Sequence, residues 1–67
     1  MLPSAYDLQY FLEVADTLNI SRAAERLGIR QPTLSQALKR LETSVGTPLF
    51  IRSRTGVQLT HGGRRLV

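Results

Sequence analysis

Apolar residues recur at intervals of three and four along the first part of the chain, which is the spacing of an amphipathic helix. The positions that share this spacing are Leu8, Phe11, Leu12 and Ala15, with Leu18 just beyond them. Ser4 and Asp7 have the spacing of a capping box at the start of this helix. Because Asp7, Glu13 and Asp16 make the helix acidic, we expect it to pack in the core rather than to contact phosphate.

A second, shorter helix is predicted after a connection at Asn19 and Ile20, over about residues 22–27. Ser21 is a preferred N-cap residue, and Gly28 is predicted to end the helix because glycine readily adopts the left-handed conformation. The buried side is predicted to contain Ala23, Ala24 and Leu27. The two alanines allow another helix to approach closely.

A third helix follows after a tight turn and is predicted over Gln31–Val45. Pro32 is compatible with its first turn, where the backbone N–H groups have no helical partner. Gly46 is predicted to end the helix, and Pro48 prevents it from resuming. One narrow side of the helix is apolar and consists of Leu34, Leu38, Leu41 and Val45.

The opposite side of the third helix is polar and basic. It comprises Pro32, Gln36, Lys39, Arg40 and Thr43, with Thr33 beside them and Ser35 at the margin. No acidic residue occurs on this side before Glu42, which lies at its edge near the end of the helix. Two helices joined by a tight turn form a helix-turn-helix, which usually places its second helix in the major groove of DNA.

Two short strand-like runs, at residues 49–51 and 57–59, predict β-strands separated by Arg52, Ser53, Arg54, Thr55 and Gly56. Together they form a β-hairpin with a basic tip, which is the wing of a winged helix. Thr60 is a candidate N-cap of a further helix, and residues 64–67 look like its start. The predicted fold is therefore mainly α: a three-helix bundle with a helix-turn-helix and a two-stranded β-hairpin wing, followed by the start of a linker helix.

The length of 67 residues allows one small domain. We place a winged helix-turn-helix DNA-binding domain at residues 1–60 and the start of a linker and dimerisation helix at residues 61–67. Nine Lys or Arg against five Asp or Glu give a formal charge of +4. This excess suits a polyanionic partner, but it also serves simply to keep a small domain in solution. Where the basic residues lie in the fold decides between a polyanionic partner and a role in solubility alone.

Other classes of function find little support in the sequence. There is no cysteine, and His61 alone cannot hold a metal ion, so no metal site is expected. Gly62 and Gly63 have no Lys or Ser/Thr in the register of a phosphate-binding loop, so no cofactor is expected. No nucleophile, base and orienting acid are recognisable, which argues against an enzyme. Without a signal peptide or a membrane-length apolar run, we expect a cytoplasmic protein with no membrane contact.

The candidate DNA-binding residues come from the helix-turn-helix and the wing. Gln36 has the groups for bidentate hydrogen bonds to an adenine edge, and Pro32 suits contact with a thymine methyl group. Arg52 and Arg54 suit the narrow minor groove of A·T-rich DNA, whose negative potential attracts arginine. Ser21 is either a phosphate contact or purely a helix cap. The full set comprises Ser21, Arg22, Arg30, Gln31, Pro32, Thr33, Ser35, Gln36, Lys39, Arg40, Arg52 and Arg54.

An alternative function of a different class fits the same fold. A winged helix also serves as a protein–protein interaction module without sequence-specific DNA binding, its basic face in solvent or on an acidic partner. The exposed side of the third helix argues against this alternative, because it lacks the large apolar anchors that protein interfaces use. The salt dependence of duplex DNA binding distinguishes the two functions.

The order and spacing of these motifs resemble the N-terminal DNA-binding domain of LysR-type transcriptional regulators, a large bacterial family. The resemblance covers nearly the whole chain and rests on residues 8–15, 21–27, 31–35, 41–42, 48–50 and 59–60, with Gly46, Arg52 and Gly63. It implies a recognition helix at Gln31–Val45 and a wing that brings an arginine, near Arg52, to the minor groove. Two positions depart from the family pattern: Arg30 stands where Ser or Thr commonly caps the recognition helix, and Gly62 stands where alanine is usual.

The resemblance also implies partners. Regulators of this family control transcription in response to a small-molecule effector, as homodimers or tetramers, and sense the effector through a C-terminal domain that is expected outside this chain. In the family, the helix after Thr60 pairs with its twin. Only about two turns of that helix are present, and Gly62 and Gly63 weaken them, so we expect a weak or absent dimer for this fragment.

Overall fold

The computed structural model describes residues 5–54 and 56–67, which form a helical bundle with a two-stranded antiparallel sheet. The elements in chain order are α1 (Ala5–Thr17), α2 (Ile20–Leu27), α3 (Gln31–Val45), β1 (Phe50–Ser53), β2 (Gly56–Leu59) and α4 (His61–Leu66). The mainly helical fold with a hairpin wing is therefore confirmed. Within the described residues, no helix has the length and apolar character needed to cross a membrane.

The core lies where α1, α2 and α3 meet, and it extends to the base of the wing. Phe11 of α1 and Leu34 and Leu41 of α3 are fully buried. Ala23 of α2 is also fully buried, and its small side chain lets the helices pack closely. The ring of Phe11 contacts that of Phe50 in β1, with a centroid separation of 5.3 Å. The wing therefore packs on the same core as the helices.

The apolar side predicted for α1 is partly wrong: Phe11 is buried and Leu8 packs against the core, but two other members are exposed. Leu12 and Leu18 are 49% and 41% exposed, whereas Val14 is fully buried. The buried side of α1 consists of Asp7, Phe11 and Val14, which follow one another at intervals of four and three residues. α2 and α3 pack against this side, which leaves Leu12 in solvent. Ser4, the other half of the predicted capping box, lies outside the described residues.

The predicted N-cap of α2 is also wrong. Asn19 caps the helix instead of Ser21: the Asn19 side-chain oxygen accepts a hydrogen bond from the Arg22 N–H at 2.9 Å. The helix consequently begins at Ile20, which is buried in the core rather than part of a connection. Ser21 lies inside the first turn, and its hydroxyl group is available for contacts outside α2.

The bounds of α3 match the prediction, and its first turn has no side-chain cap. Arg30 occupies the N-cap position in an extended conformation and makes no capping hydrogen bond. Gly28 and Gly46 end α2 and α3 in the left-handed conformation, with φ of 70° and 80°. Val45, predicted on the apolar side of α3, is 36% exposed because it lies in the last turn, at the edge of the bundle.

The wing is longer in its strands and shorter at its tip than predicted. Arg52 lies within β1, opposite Val57, and Ser53 pairs with Gly56. Only positions 54 and 55 connect the strands, and Thr55 lies outside the described residues. A connection of two residues suits the twist of an antiparallel hairpin. Arg52 is thus held by strand pairing, whereas Arg54 stands beyond the last strand pair.

The start of α4 is fixed against the segment that leads into the wing. Thr60 is its N-cap, as predicted: the hydroxyl oxygen accepts from the Gly63 N–H at 3.0 Å and donates to the Pro48 carbonyl at 2.6 Å. The Thr60 N–H donates to the Leu49 carbonyl at 3.0 Å. Gly63 is buried, and a Cβ at this position would overlap the Leu49 carbonyl oxygen. Close packing of α4 therefore requires glycine here.

We predict that Gly63→Ala lowers the free energy of unfolding by about 1–3 kcal/mol, because the added methyl group cannot fit without moving the Leu49 backbone. The matched control is Gly62→Ala, whose Cβ would meet a Thr47 methyl group at 2.8 Å. That side chain can rotate away, and alanine gains about 1 kcal/mol of helix propensity over glycine. Urea denaturation followed by circular dichroism compares the two variants. Equal destabilisation would contradict the close packing of α4 on Leu49.

Candidate nucleic-acid interface

The exposed side of α3 is polar and basic. Its exposed residues, which we call the outer side of α3, are Gln31, Pro32, Thr33, Gln36, Lys39, Arg40 and Thr43. The rotation of the helix is fixed because Leu34, Leu38 and Leu41 point into the core. Ala37, which the apolar pattern did not include, is also fully buried. The outer side of α3 therefore presents hydrogen-bonding groups and positive charge to solvent on a rigid helix.

One flank of α3 faces the wing. Ser35 and Glu42 are seven positions apart, so they lie on the same side of the helix. The Glu42 carboxylate accepts hydrogen bonds from the backbone N–H groups of Leu49 and Phe50, at 2.7 and 3.4 Å. The acid at the edge of the basic side thus has a structural role, because it joins the start of the wing to α3. Only the position of Glu42 at the edge of the basic side was visible in the sequence.

Ser35 connects the same flank to the middle of the wing. The Arg52 guanidinium donates from Nη2 to the Ser35 hydroxyl oxygen at 3.1 Å. Both residues are candidate DNA contacts, and the structure brings them into direct contact. The expectation that Arg52 lies at the tip of the wing was wrong, because strand pairing extends beyond it to Ser53.

The other flank of α3 faces α1. Arg40 donates from Nη2 to the Asp7 carboxylate at 3.2 Å, and the side chains are 61% and 8% exposed, respectively. Part of the Arg40 guanidinium is therefore engaged in the fold, while the rest reaches solvent. Sequence reasoning assigned Asp7 to a helix cap and missed this ion pair, since the two residues are far apart in the chain.

The starts of α2 and α3 meet at another pair of candidate residues. The Ser21 hydroxyl donates to the side-chain oxygen of Gln31 at 3.2 Å. A groove lies between this pair and the wing, and its lining includes Arg52 and Arg54. Arg52 also lines the neighbouring groove between α3 and the wing, together with Ser35, Gln36 and Lys39. The structure thus brings the wing arginines and the two helix starts to one continuous surface.

Two candidates, Arg22 and Arg30, are exposed, and their side chains make no contact that joins them to the other candidates among residues 5–54 and 56–67. Each adjoins one member of the Ser21–Gln31 pair in the chain. They therefore lie at the border of the surface rather than within its hydrogen-bonded part.

The ion pairs among the described residues involve few of these cations. Glu13 and Asp16 bind Arg26 at 3.1 and 3.3 Å on the α1–α2 side of the bundle. In the part of the chain that the structure describes, Arg40 is the one basic candidate with a carboxylate within ion-pair distance. The uncompensated candidates are Arg22, Arg30, Lys39, Arg52 and Arg54. Their positive charge is available to a polyanion.

A helix-turn-helix with a polar, basic outer helix and a basic β-hairpin beside it defines the class of winged helix-turn-helix DNA-binding domains. The chain belongs to the family of bacterial regulatory helix-turn-helix proteins of the lysR type, whose family model matches residues 6–64. The resemblance seen in the sequence is therefore confirmed. The family and the relatives that match this chain are named as DNA-binding transcription regulators.

The chain is similar to known regulators in sequence and structure. It is 57% identical over 56 residues to the HTH-type transcriptional regulator BudR of Klebsiella aerogenes. The matched segment covers 84% of this chain and 39% of BudR. The oxidised form of OxyR from Corynebacterium glutamicum matches 98% of this chain and 20% of its own, at 39% identity and a TM-score of 0.94. A crystal structure of the CbnR DNA-binding domain with DNA matches 90% of this chain and 69% of its own, at 37% identity and a TM-score of 0.86. The chain thus spans well under half the length of BudR and of OxyR.

Proposed function

We propose that this chain binds double-stranded DNA sequence-specifically, as the DNA-binding domain of a bacterial transcription regulator. The observation that carries the proposal is the outer side of α3, which is exposed, rigidly oriented, rich in hydrogen-bonding groups and free of acidic residues. The major groove of B-DNA is wide enough to admit an α-helix, and its base edges offer a distinct hydrogen-bonding pattern for each base pair. In the proposed complex, α3 occupies this groove.

The side chains of the outer side divide into readers of bases and ligands of phosphates. Gln36, in the second turn of α3, has a donor and an acceptor for a base edge, and Pro32 contacts a thymine methyl group. Lys39 and Arg40 hold phosphates beyond the bases. The short hydroxyl groups of Thr33 and Ser35 contact base edges or phosphates near the start of the helix. Around them, Ser21, Arg22, Arg30 and Gln31 contact the sugar–phosphate backbone.

The two wing arginines have different roles in this proposal. Arg54 stands beyond the last strand pair, so it is the arginine that reaches into the minor groove. Arg52, which the sequence also suggested for the minor groove, is hydrogen-bonded to Ser35 of α3. That bond keeps the Arg52 guanidinium beside the recognition helix and supports a contact at the edge of the major groove.

The partners of a complete regulator belong to the proposal as well. The similarity to longer regulators supports DNA binding as part of a longer protein. For that protein we propose a homodimer or tetramer in the bacterial cytoplasm that responds to a small-molecule effector bound outside this chain. Two such domains, joined through the helix that begins with α4, would read two half-sites. This chain by itself would bind a half-site as a monomer or weak dimer.

The first prediction is that duplex binding depends strongly on salt. The logarithm of the association constant should fall with the logarithm of salt concentration, with a slope of about −0.9 for each phosphate neutralised. Arg30→Ala should reduce the magnitude of the slope by about 0.9, because Arg30 has no ion-pair partner among the described residues. Arg26→Ala is the control, since Arg26 is paired with Glu13 and Asp16. Fluorescence anisotropy measures the slopes, and a slope near zero would contradict DNA binding.

The second prediction separates base reading from phosphate binding. Gln36→Ala should relax the preference at one or two base pairs and cost about 1–3 kcal/mol on the best site. Lys39→Ala should instead weaken binding to all sequences alike, because a phosphate contact carries no sequence information. Selection from a randomised duplex library measures both. An unchanged base preference in Gln36→Ala would show that Gln36 does not read a base.

The third prediction concerns the wing. Arg54→Ala should lower affinity more for sites with A·T-rich flanks than for sites with G·C-rich flanks, because A·T tracts have the narrower minor groove. Arg52→Ala should lower affinity without this dependence on the flanks. Binding isotherms on the two kinds of duplex measure the difference. If Arg52→Ala shows the flank dependence and Arg54→Ala does not, the proposed roles of the two arginines are reversed.

A further inference from the structure

We propose that Ser35 and Arg52 act as a single, positively charged base-reading pair that offers hydrogen-bond donors, and that this pair selects guanine at the base pair it faces. The inference rests on the proposed function, since it assumes that α3 lies in the major groove. In that position, one side chain of α3 and one of the wing face the same base edge.

The pair is held from both sides. Ser35 belongs to the second turn of α3, whose rotation is fixed by the buried Leu34 and Leu38. Arg52 belongs to β1, where it lies opposite Val57. The carboxylate of Glu42 holds the N–H groups of Leu49 and Phe50, at the start of the same strand. The hydrogen bond of 3.1 Å between Arg52 and Ser35 therefore joins two elements that the fold has already placed side by side.

The bond determines how the Ser35 hydroxyl can act. A serine hydroxyl has one donor hydrogen and two acceptor lone pairs, and the Arg52 N–H occupies one lone pair. Further along α3, the Thr43 hydroxyl donates to the carbonyl of Lys39, one turn back, at 3.1 Å. The Ser35 hydroxyl has no such acceptor among residues 5–54 and 56–67. Its hydrogen thus remains available to a ligand, as do the other N–H groups of the Arg52 guanidinium.

A positively charged pair of donors discriminates among bases. Guanine presents two acceptors, N7 and O6, to the major groove, whereas thymine presents one acceptor beside a methyl group, adenine pairs one acceptor with an amino donor, and cytosine presents an amino donor. An amino group facing the pair would meet another donor and a positive charge. The pair therefore favours guanine, and the preference depends on both residues, because each fixes the direction of the other's donors.

The test is a double-mutant cycle with base preference as its readout. Ser35→Ala and Arg52→Ala should each reduce the preference for guanine at the same base pair, by about 5- to 100-fold. The double variant should lose no more guanine preference than the single variant with the larger loss. Independent residues would instead give a loss equal to the product of the two single losses. The matched control is the double variant Gln36→Ala with Arg54→Ala, because no contact joins those side chains in the described residues. In that variant the losses of the two single variants should multiply. Thermal unfolding of each variant verifies that the fold is intact.

Two outcomes overturn the inference. If the losses of Ser35→Ala and Arg52→Ala multiply, the residues act independently. If guanine remains preferred in both single variants, another group reads that base pair. In either case, salt-dependent and sequence-selective binding by the unmodified chain would leave the proposed function standing. Absence of such binding by the unmodified chain would instead contradict the proposed function, and the inference with it.

Discussion

The rotation of α3 about its axis is the constraint on which the rest of this structure depends. Leu34, Leu38 and Leu41 point into a core built around Phe11, and in so small a domain their burial supplies much of the stabilising free energy. A helix whose inner side is fixed has its outer side fixed as well. Gln36 and Lys39 therefore project into solvent on the same side, and the geometry of the candidate interface follows directly from the packing of apolar residues.

The flanks of α3 extend this constraint to the other elements. On one flank, Glu42 accepts hydrogen bonds from the backbone N–H groups at the start of the wing, and Ser35 accepts one from the Arg52 guanidinium. On the other flank, Arg40 binds the buried carboxylate of Asp7 in α1. Polar residues along the two edges of the outer side of α3 thus attach the helix to its neighbours. A substitution at one of them would be expected to alter the relative position of wing and helix as well as a local contact.

Much of the fold follows from local patterns, and much of the site does not. The left-handed glycines at the ends of α2 and α3, and Thr60 at the start of α4, are local signals, and the structure confirms them. The buried side of α1 was mispredicted in part because Leu12 and Val14 both lie at helical spacing from their apolar neighbours, and only packing against α2 and α3 decides between them. The pairs Asp7–Arg40 and Ser35–Arg52 join residues that are distant in sequence, and nothing in a single sequence indicates them. Which candidates contact bases and which contact phosphates stays a prediction.

The central claim, that the outer side of α3 and the wing together form the DNA-binding surface, is tested most directly by nuclear magnetic resonance. The isotope-labelled chain is titrated with a duplex that contains its selected site, and backbone and side-chain shifts are followed. The account predicts large shifts for the side-chain amide of Gln36, the Arg52 guanidinium and the backbone of Ser35, with little change at Leu12 and Asp16 on the far side of α1. Shifts concentrated on α1, with α3 and the wing unchanged, would contradict it.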